Sequence, residues 1–565
     1  MRDLFIGFDA NGKRIFLTPE DRAATHMHVI GSSGSGKSKF LEWLIREDIK
    51  NRQGLCLIDP EGTLYEDIVK WAGYHWLSDR EIILLNPSSG DHVVGFNPFK
   101  DTGGDIAVQV DYQITATIRA WGLENTDETP TLERWLRCIF QTLIEKKQTI
   151  VAARYLINYF EDEVRDYLTS ELSKEIIQEE WRELSSSKTP KQFQDEILST
   201  KNKLFRFLCS DQIQRFMGLN EPVLDIGRIM DEGKILLVNL ADSPYLSHYN
   251  ATLFGALLVN EFFQQAKKRK KDQWGNEPKP FYLYIDEFQD FVTTPDIGRM
   301  LDQVRKRGLH LILAHQRFGQ IEKKEADVIE SVLTNAKIKA VFGGLTRPNA
   351  KRMVEEMFVN QLNLREIKKA IYQTKFWPKY ARDKVYTSSH GYTSGESSSE
   401  ASIIGSSTQW AEGEGWFDMS SLVSTTESQT SVSGSGKTEA ETYGDAVADI
   451  PIFIPVPFKE LSSETYWTLE EQIWKMSDAL KEQFPRHCFI KILNQKTQPM
   501  LVPLVKEYHL FEKDFLEYQK ELYNQIKALT SRQVDGLLEE QKKDLEVMAR
   551  NQEIERIKYP TKFRE

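Results

Sequence analysis

HMHVIGSSGSGKSKFLEWLIREDI, residues 26–49, is the stretch on which the fold is read. An apolar run leads into Gly31, Ser32, Ser33, Gly34, Ser35, Gly36, Lys37 and Ser38, which satisfy G-x-x-x-x-G-K-[ST]. Phe40, Leu41, Leu44, Ile45 and Ile49 then recur at three- and four-residue spacing. Strand, loop and amphipathic helix in this order predict a site for the phosphates of ATP, built from all eight loop residues. Glycines at 34 and 36 let backbone N–H groups turn towards the β-phosphate, and the helix amino end adds partial positive charge. Lys37 is expected to bridge the β- and γ-phosphates, and the Ser38 hydroxyl to ligate Mg²⁺. SVSGSGKT at 431–438 lacks the first glycine and has no flanking strand or periodic helix, so it is not read as a second loop.

Outward from this unit the same alternation continues. LCLIDP (55–60), EIILLNP (81–87), KILLVNL (234–240), FYLYIDEF (281–288), LHLILAH (309–315) and IKAVFG (338–343) are short apolar runs separated by helix-length segments. They predict an α/β fold with a mostly parallel central sheet. Buried strands of such a sheet aim their carboxyl ends at the nucleotide. Asp286 is therefore expected to hold the metal and Glu287 to orient and polarise the attacking water. Gln316 ends the neighbouring strand, where it senses the γ-phosphate or caps the strand. Arg305, in the last turn of the preceding helix, is either a finger reaching a neighbouring subunit's nucleotide or a cation placed there by the helix dipole.

At 565 residues the chain is too long for a single small module. Its net charge of −11 repels polyanions unless basic residues gather locally. KKRKK (267–271) is one such run, read as a cationic helix end or a DNA contact. Four scattered cysteines argue against a disulfide framework or zinc site and fit a reducing compartment. With no signal-like apolar core near residue 1 and no run of about 18 apolar residues, a cytoplasmic location is expected, peripheral at the inner membrane face only through partners.

The ordered set HMHVIGSSGSGKS, LCLIDPEGTLYEDIV, VGFNPF, IMDEGKILLVNL, FYLYIDEFQDF, RKRGLHLILAHQRFGQ and NAKIKAVFGG resembles the cytoplasmic motor of the type IV coupling proteins of bacterial conjugation, the TraG/TraD-like ATPases. These stand within the FtsK/HerA group of ring-forming DNA translocases. The resemblance covers about 20–360 and 450–500. It implies RecA-like P-loop NTPase domains in a homo-hexameric ring, with ATP and Mg²⁺ as cofactors and DNA as substrate. It also implies relaxase or secretion-channel partners, Arg305 as the trans-acting finger and Gln316 as the sensor. Asp59 matches an acidic position of the family and is expected to shape the nucleotide edge. Members coupled to a secretion channel usually begin with transmembrane helices, which this sequence does not show.

The expected organisation is a first part of the ATPase core at 1–103, an inserted all-α domain at 104–230 and a second part of the core at 231–386. A disordered, Ser/Thr-rich excursion is expected at 387–446, a return to the core with a further strand at 447–505 and a helical tail at 506–565. The tail is read as a hairpin packed on the body or as a partner-docking arm. The function expected is an ATP-driven DNA translocase. The rivals are a HerA-like ATPase working with a nuclease in end processing or phage defence, a protein-translocating motor, and a regulatory ATP-binding protein.

Overall fold

The structure is a computed structural model that describes residues 2–558 except 123–129, 188, 222–223, 272–274, 292–300, 302, 320–325, 364, 389–398, 410–423 and 435–444. The chain divides into two units, Met1–Leu364 with Thr468–Glu565, and Arg365–Trp467.

The first unit is built on a sheet of eleven strands: β1 (Leu4–Phe8), β2 (Arg14–Leu17), β3 (Met27–Ile30), β4 (Gly54–Asp59), β5 (Ile82–Leu85), β7 (Ile235–Asn239), β8 (Phe281–Ile285), β9 (Leu309–His315), β10 (Ile338–Phe342), β15 (His487–Ile492) and β16 (Gln498–Leu501), with β6 (His92–Val93) outside it. Their order is β2-β1-β16-β15-β10-β3-β9-β8-β4-β7-β5. From β10 to β5 every pairing is parallel, and from β15 to β2 every pairing is antiparallel. The central strands β3, β4, β8 and β9 are buried along their whole length, as strands covered on both faces must be, so they read as continuous apolar runs. The fold is α/β with a mostly parallel central sheet.

Between Ile106 and Glu232 the described elements are all helical, the longest being Pro130–Glu145 and Pro190–Leu208. Trp135 and Trp181 meet in their core with ring centroids 5.4 Å apart. The helix Ser531–Lys558 lies against this set. Arg215 holds Asp535 through two hydrogen bonds of 2.7 and 2.9 Å, and Val534 and Ala549 are buried beneath.

The second unit departs from expectation. β11 (Ile367–Ser388) and β14 (Asp445–Tyr466) form a two-stranded antiparallel ribbon, and β12 (Ser399–Gln409) pairs with β13 (Ser424–Gly434). Residues 367–386 thus leave the sheet, and IPIFIPVPFKEL does not return to it; the return begins with the helix Leu469–Lys481. The reason is cross-strand pairing, since apolar residues of 452–461 face those of 372–381 along the ladder. Within 387–446, where a disordered excursion is expected, residues 399–409 and 424–434 pair as strands. SVSGSGKT therefore begins on a strand, and its remaining residues 435–438 lie outside the described residues.

Candidate active site

β3 delivers the chain to the loop at 31–36, and the helix Lys37–Lys50 carries it away. Gly34 and Gly36 have φ of 77° and 104°, a left-handed backbone that glycine adopts without penalty. A Cβ at Gly36 would lie 2.9 Å from the backbone nitrogen of Arg486. That nitrogen donates to the Ser35 carbonyl at 3.0 Å, so a residue 450 positions downstream braces the loop. Ser35 Oγ donates to the Ser32 carbonyl at 2.7 Å, and Gly31 N–H to the His315 carbonyl at 3.3 Å.

Lys37 is buried and its Nζ donates to Asp286 Oδ1 at 2.7 Å and Glu287 Oε1 at 2.5 Å. Asp286 follows the last residue of β8, and its Oδ2 lies 3.5 Å from Ser38 Oγ. Glu287 takes a left-handed backbone (φ 46°), which costs a residue with a Cβ about 1 kcal/mol and turns its carboxylate inward. Gln316 Nε2, just beyond β9, donates to Glu287 Oε1 at 3.0 Å, and Gln289 Nε2 donates to Oε2 at 2.9 Å. Burial opposes the charge on Lys37, but the two carboxylates hold its pKa above the usual lysine value. Burial also works to raise Glu287, but Lys37, Gln289 and Gln316 hold it below the usual glutamate range. Asp59, at the end of β4, accepts from Glu61 N–H at 2.9 Å and Tyr65 N–H at 2.8 Å. Burial, reinforced by Asp286, overrides these bonds and pushes its pKa up to about 6.

The structure thus gathers Lys37, Ser38, Asp286, Glu287 and Gln316 at the carboxyl ends of β3, β8 and β9. Arg305 is not among them. It precedes β9, at the opposite end of the strands, and its guanidinium donates to the Ala24 carbonyl at 2.5 Å. From the KKRKK run, Lys267 and Lys271 line a cavity of about 480 Å³ with Lys306 and Arg307. There Lys267 donates to Tyr112 Oη at 2.6 Å and Lys271 pairs with Glu277 at 2.6 Å. Sequence reading missed Gln289 and Arg486. Gln289 stands within FYLYIDEFQD and was legible there, whereas no local signal marks Arg486.

Hydroxyl and carboxylate oxygens at Ser38 and Asp286 are the hard donors that Mg²⁺ takes alongside phosphate oxygens. Among the described residues no group of three or more His, Cys, Asp or Glu stands in metal-holding geometry, and no helix is long and apolar enough to cross a membrane.

Two family models match the chain, "Helicase HerA, central domain" over residues 6–249 and "TraM recognition site of TraD and TraG" over 280–358. Comparison with curated proteins gives no match. Among solved structures, the unbound bacterial conjugative coupling protein TrwBdeltaN70 is similar at 12% identity and a TM-score of 0.46, over 90% of this chain and 91% of that one. The plasmid coupling protein TrwB with the ATP analogue ADPNP is similar at 13% identity and 0.46, over 90% and 91%. VirB4 of Thermoanaerobacter pseudethanolicus is similar at 13% and 0.39, over 63% and 88%. The phosphate loop falls in the first matched stretch and the strand-end carboxylates in the second, so the chain resembles the type IV coupling proteins and carries a HerA-like P-loop NTPase core.

Proposed function

We propose that this protein is a Mg²⁺-dependent ATPase that moves DNA, working as a ring of six copies. The observation that carries the reading is the convergence of Lys37 on Asp286 and Glu287, with Gln316 bound to the same glutamate. A loop lysine, a metal-type aspartate, a water-activating glutamate and a sensor amide are what phosphoryl transfer to water requires. Lys37 takes β- and γ-phosphate oxygens in exchange for one of its carboxylates, and the freed Glu287 orients the attacking water. Ser38 and Asp286 would hold Mg²⁺, which would supply neutralising charge beside the phosphates. Gln316 reports the γ-phosphate to β9.

Arg305, at the far end of β9, acts on the nucleotide of a neighbouring copy, which makes a ring of copies the working form. A TraM-like partner fits the 280–358 stretch through its family match. The HerA match favours a second reading, an ATPase paired with a nuclease in DNA processing. Co-purification of a nuclease would support that one.

The test is steady-state ATP turnover with and without single- and double-stranded DNA, alongside native particle mass. A DNA-stimulated rate in a hexamer is expected. A monomer with a DNA-independent rate overturns the reading.

A further inference from the structure

The ribbon of the second unit carries large apolar side chains that no described residue of that unit covers. Tyr372, Phe376, Trp377, Tyr380 and Phe453 are 58–71% exposed. Between Ile367 and Arg382 the four on β11 are interspersed with Lys368, Lys369, Lys375, Lys379 and Arg382, with no acidic residue before Asp383. Along Ile452–Tyr466 β14 adds Lys459, Glu460 and Glu464, and Glu460 pairs with Lys375. The paired stretches Ile367–Arg382 and Ile452–Tyr466 therefore have an excess of four positive charges, and the whole ribbon, with Asp383, Lys384, Asp445 and Asp449, an excess of two, in a chain whose net charge is −11.

Successive side chains of a strand point to opposite faces. Trp377 shares one face with Lys375 and Lys379, and Phe376 and Tyr380 share the other with Arg382. Tyr380 and Phe453 lie side by side with centroids 4.6 Å apart, and Trp377 stands 5.5 Å from Phe458. Each face thus joins aromatic rings to cations. A second copy of the ribbon would bring like charges together. A lipid surface would engage one face and leave the other in water. A single polynucleotide strand supplies what both faces lack, namely negative charge along its backbone and flat bases for the rings. Base stacking on aromatic side chains and cationic contact with phosphates are how single strands are held without sequence preference.

We propose that the ribbon formed by Ile367–Arg382 and Ile452–Tyr466 is a binding platform for single-stranded polynucleotide. The inference goes beyond the motor reading, because it rests on the ribbon's own chemistry and not on the phosphate loop.

The test uses the full chain and a fluorescein-labelled thirty-residue oligo(dT), titrated by anisotropy over a range of salt. The triple variant Phe376→Ala, Trp377→Ala, Tyr380→Ala is expected to lose about tenfold in affinity or more at fixed salt. The triple variant Lys375→Gln, Lys379→Gln, Arg382→Gln is expected to flatten the log–log salt slope by about 2. All six side chains are solvent-facing; if the aromatic variant misfolds, the charge variant alone decides. Parent-like affinity and slope in a folded variant overturn the proposal. So does loss of binding to phosphatidylserine-containing vesicles while oligo(dT) binding persists. Basal ATP turnover without DNA should be unchanged in both variants. A parent that shows no turnover, yet loses oligo(dT) on substitution, defeats the motor reading and leaves this one standing.

Discussion

At Lys37 two opposing effects meet, burial against the ammonium and two carboxylates in its favour. Lys37→Ala should stop ATP turnover and also leave Asp286 and Glu287 buried without their cation, a loss of about 3–5 kcal/mol. The variant's melting temperature at pH 8 should therefore fall by several degrees; an unchanged value would contradict the ion-pair account. Glu287→Gln keeps the shape and should still bind nucleotide while slowing turnover about a hundredfold or more, checked by pairing nucleotide titration with turnover. Asp59 gives a pH signature. Its folded pKa of about 6 lies above the unfolded value of about 3.9, so the proton is held more tightly in the folded state. Its contribution is full below about pH 4 and is lost as pH rises through 6. Asp59→Asn should remove that decline, amounting to about 2–3 kcal/mol across the window, when denaturation curves of both proteins are compared.

Among the elements, the phosphate loop was legible because its signal is contiguous, with strand, glycines, lysine and helix all inside 24 residues. The Asp286–Glu287 strand end was legible for the same reason. What supports them was not. Arg486 reaches Gly36 through backbone contact, which no side-chain pattern encodes, and the ribbon deceived because aromatic alternation reads equally as a buried strand. Gly36→Ala should cost about 1–3 kcal/mol, by combining a left-handed backbone with a 2.9 Å contact to Arg486, and should weaken nucleotide binding. The helix Ser531–Lys558 offers another check. Val534 is fully buried where this helix meets the insertion, so Val534→Asp should release it, seen as faster amide exchange over 531–554 with the central strands still protected.

For the whole molecule, the second unit leaves and returns at one place. Ile367 pairs with Tyr466, and Trp467 N–H donates to the Glu366 carbonyl at 3.0 Å. Replacing residues 365–467 by a short Gly/Ser linker should thus keep the melting temperature of the first unit within a few degrees, since closing a short loop costs little. A collapse of that transition would show the two units to be interdependent. A shared active site predicts that Lys37→Ala and Arg305→Ala chains, each inactive alone, regain turnover when mixed. No recovery would remove Arg305 from the mechanism.

The brace from Arg486 to Ser35 has a consequence during synthesis on the ribosome. The nascent loop emerges about 450 residues before its brace, and β10 emerges about 145 residues before β15 covers its edge. An incomplete polypeptide therefore holds the motif without its final shape, which it can reach only once translation has passed residue 486.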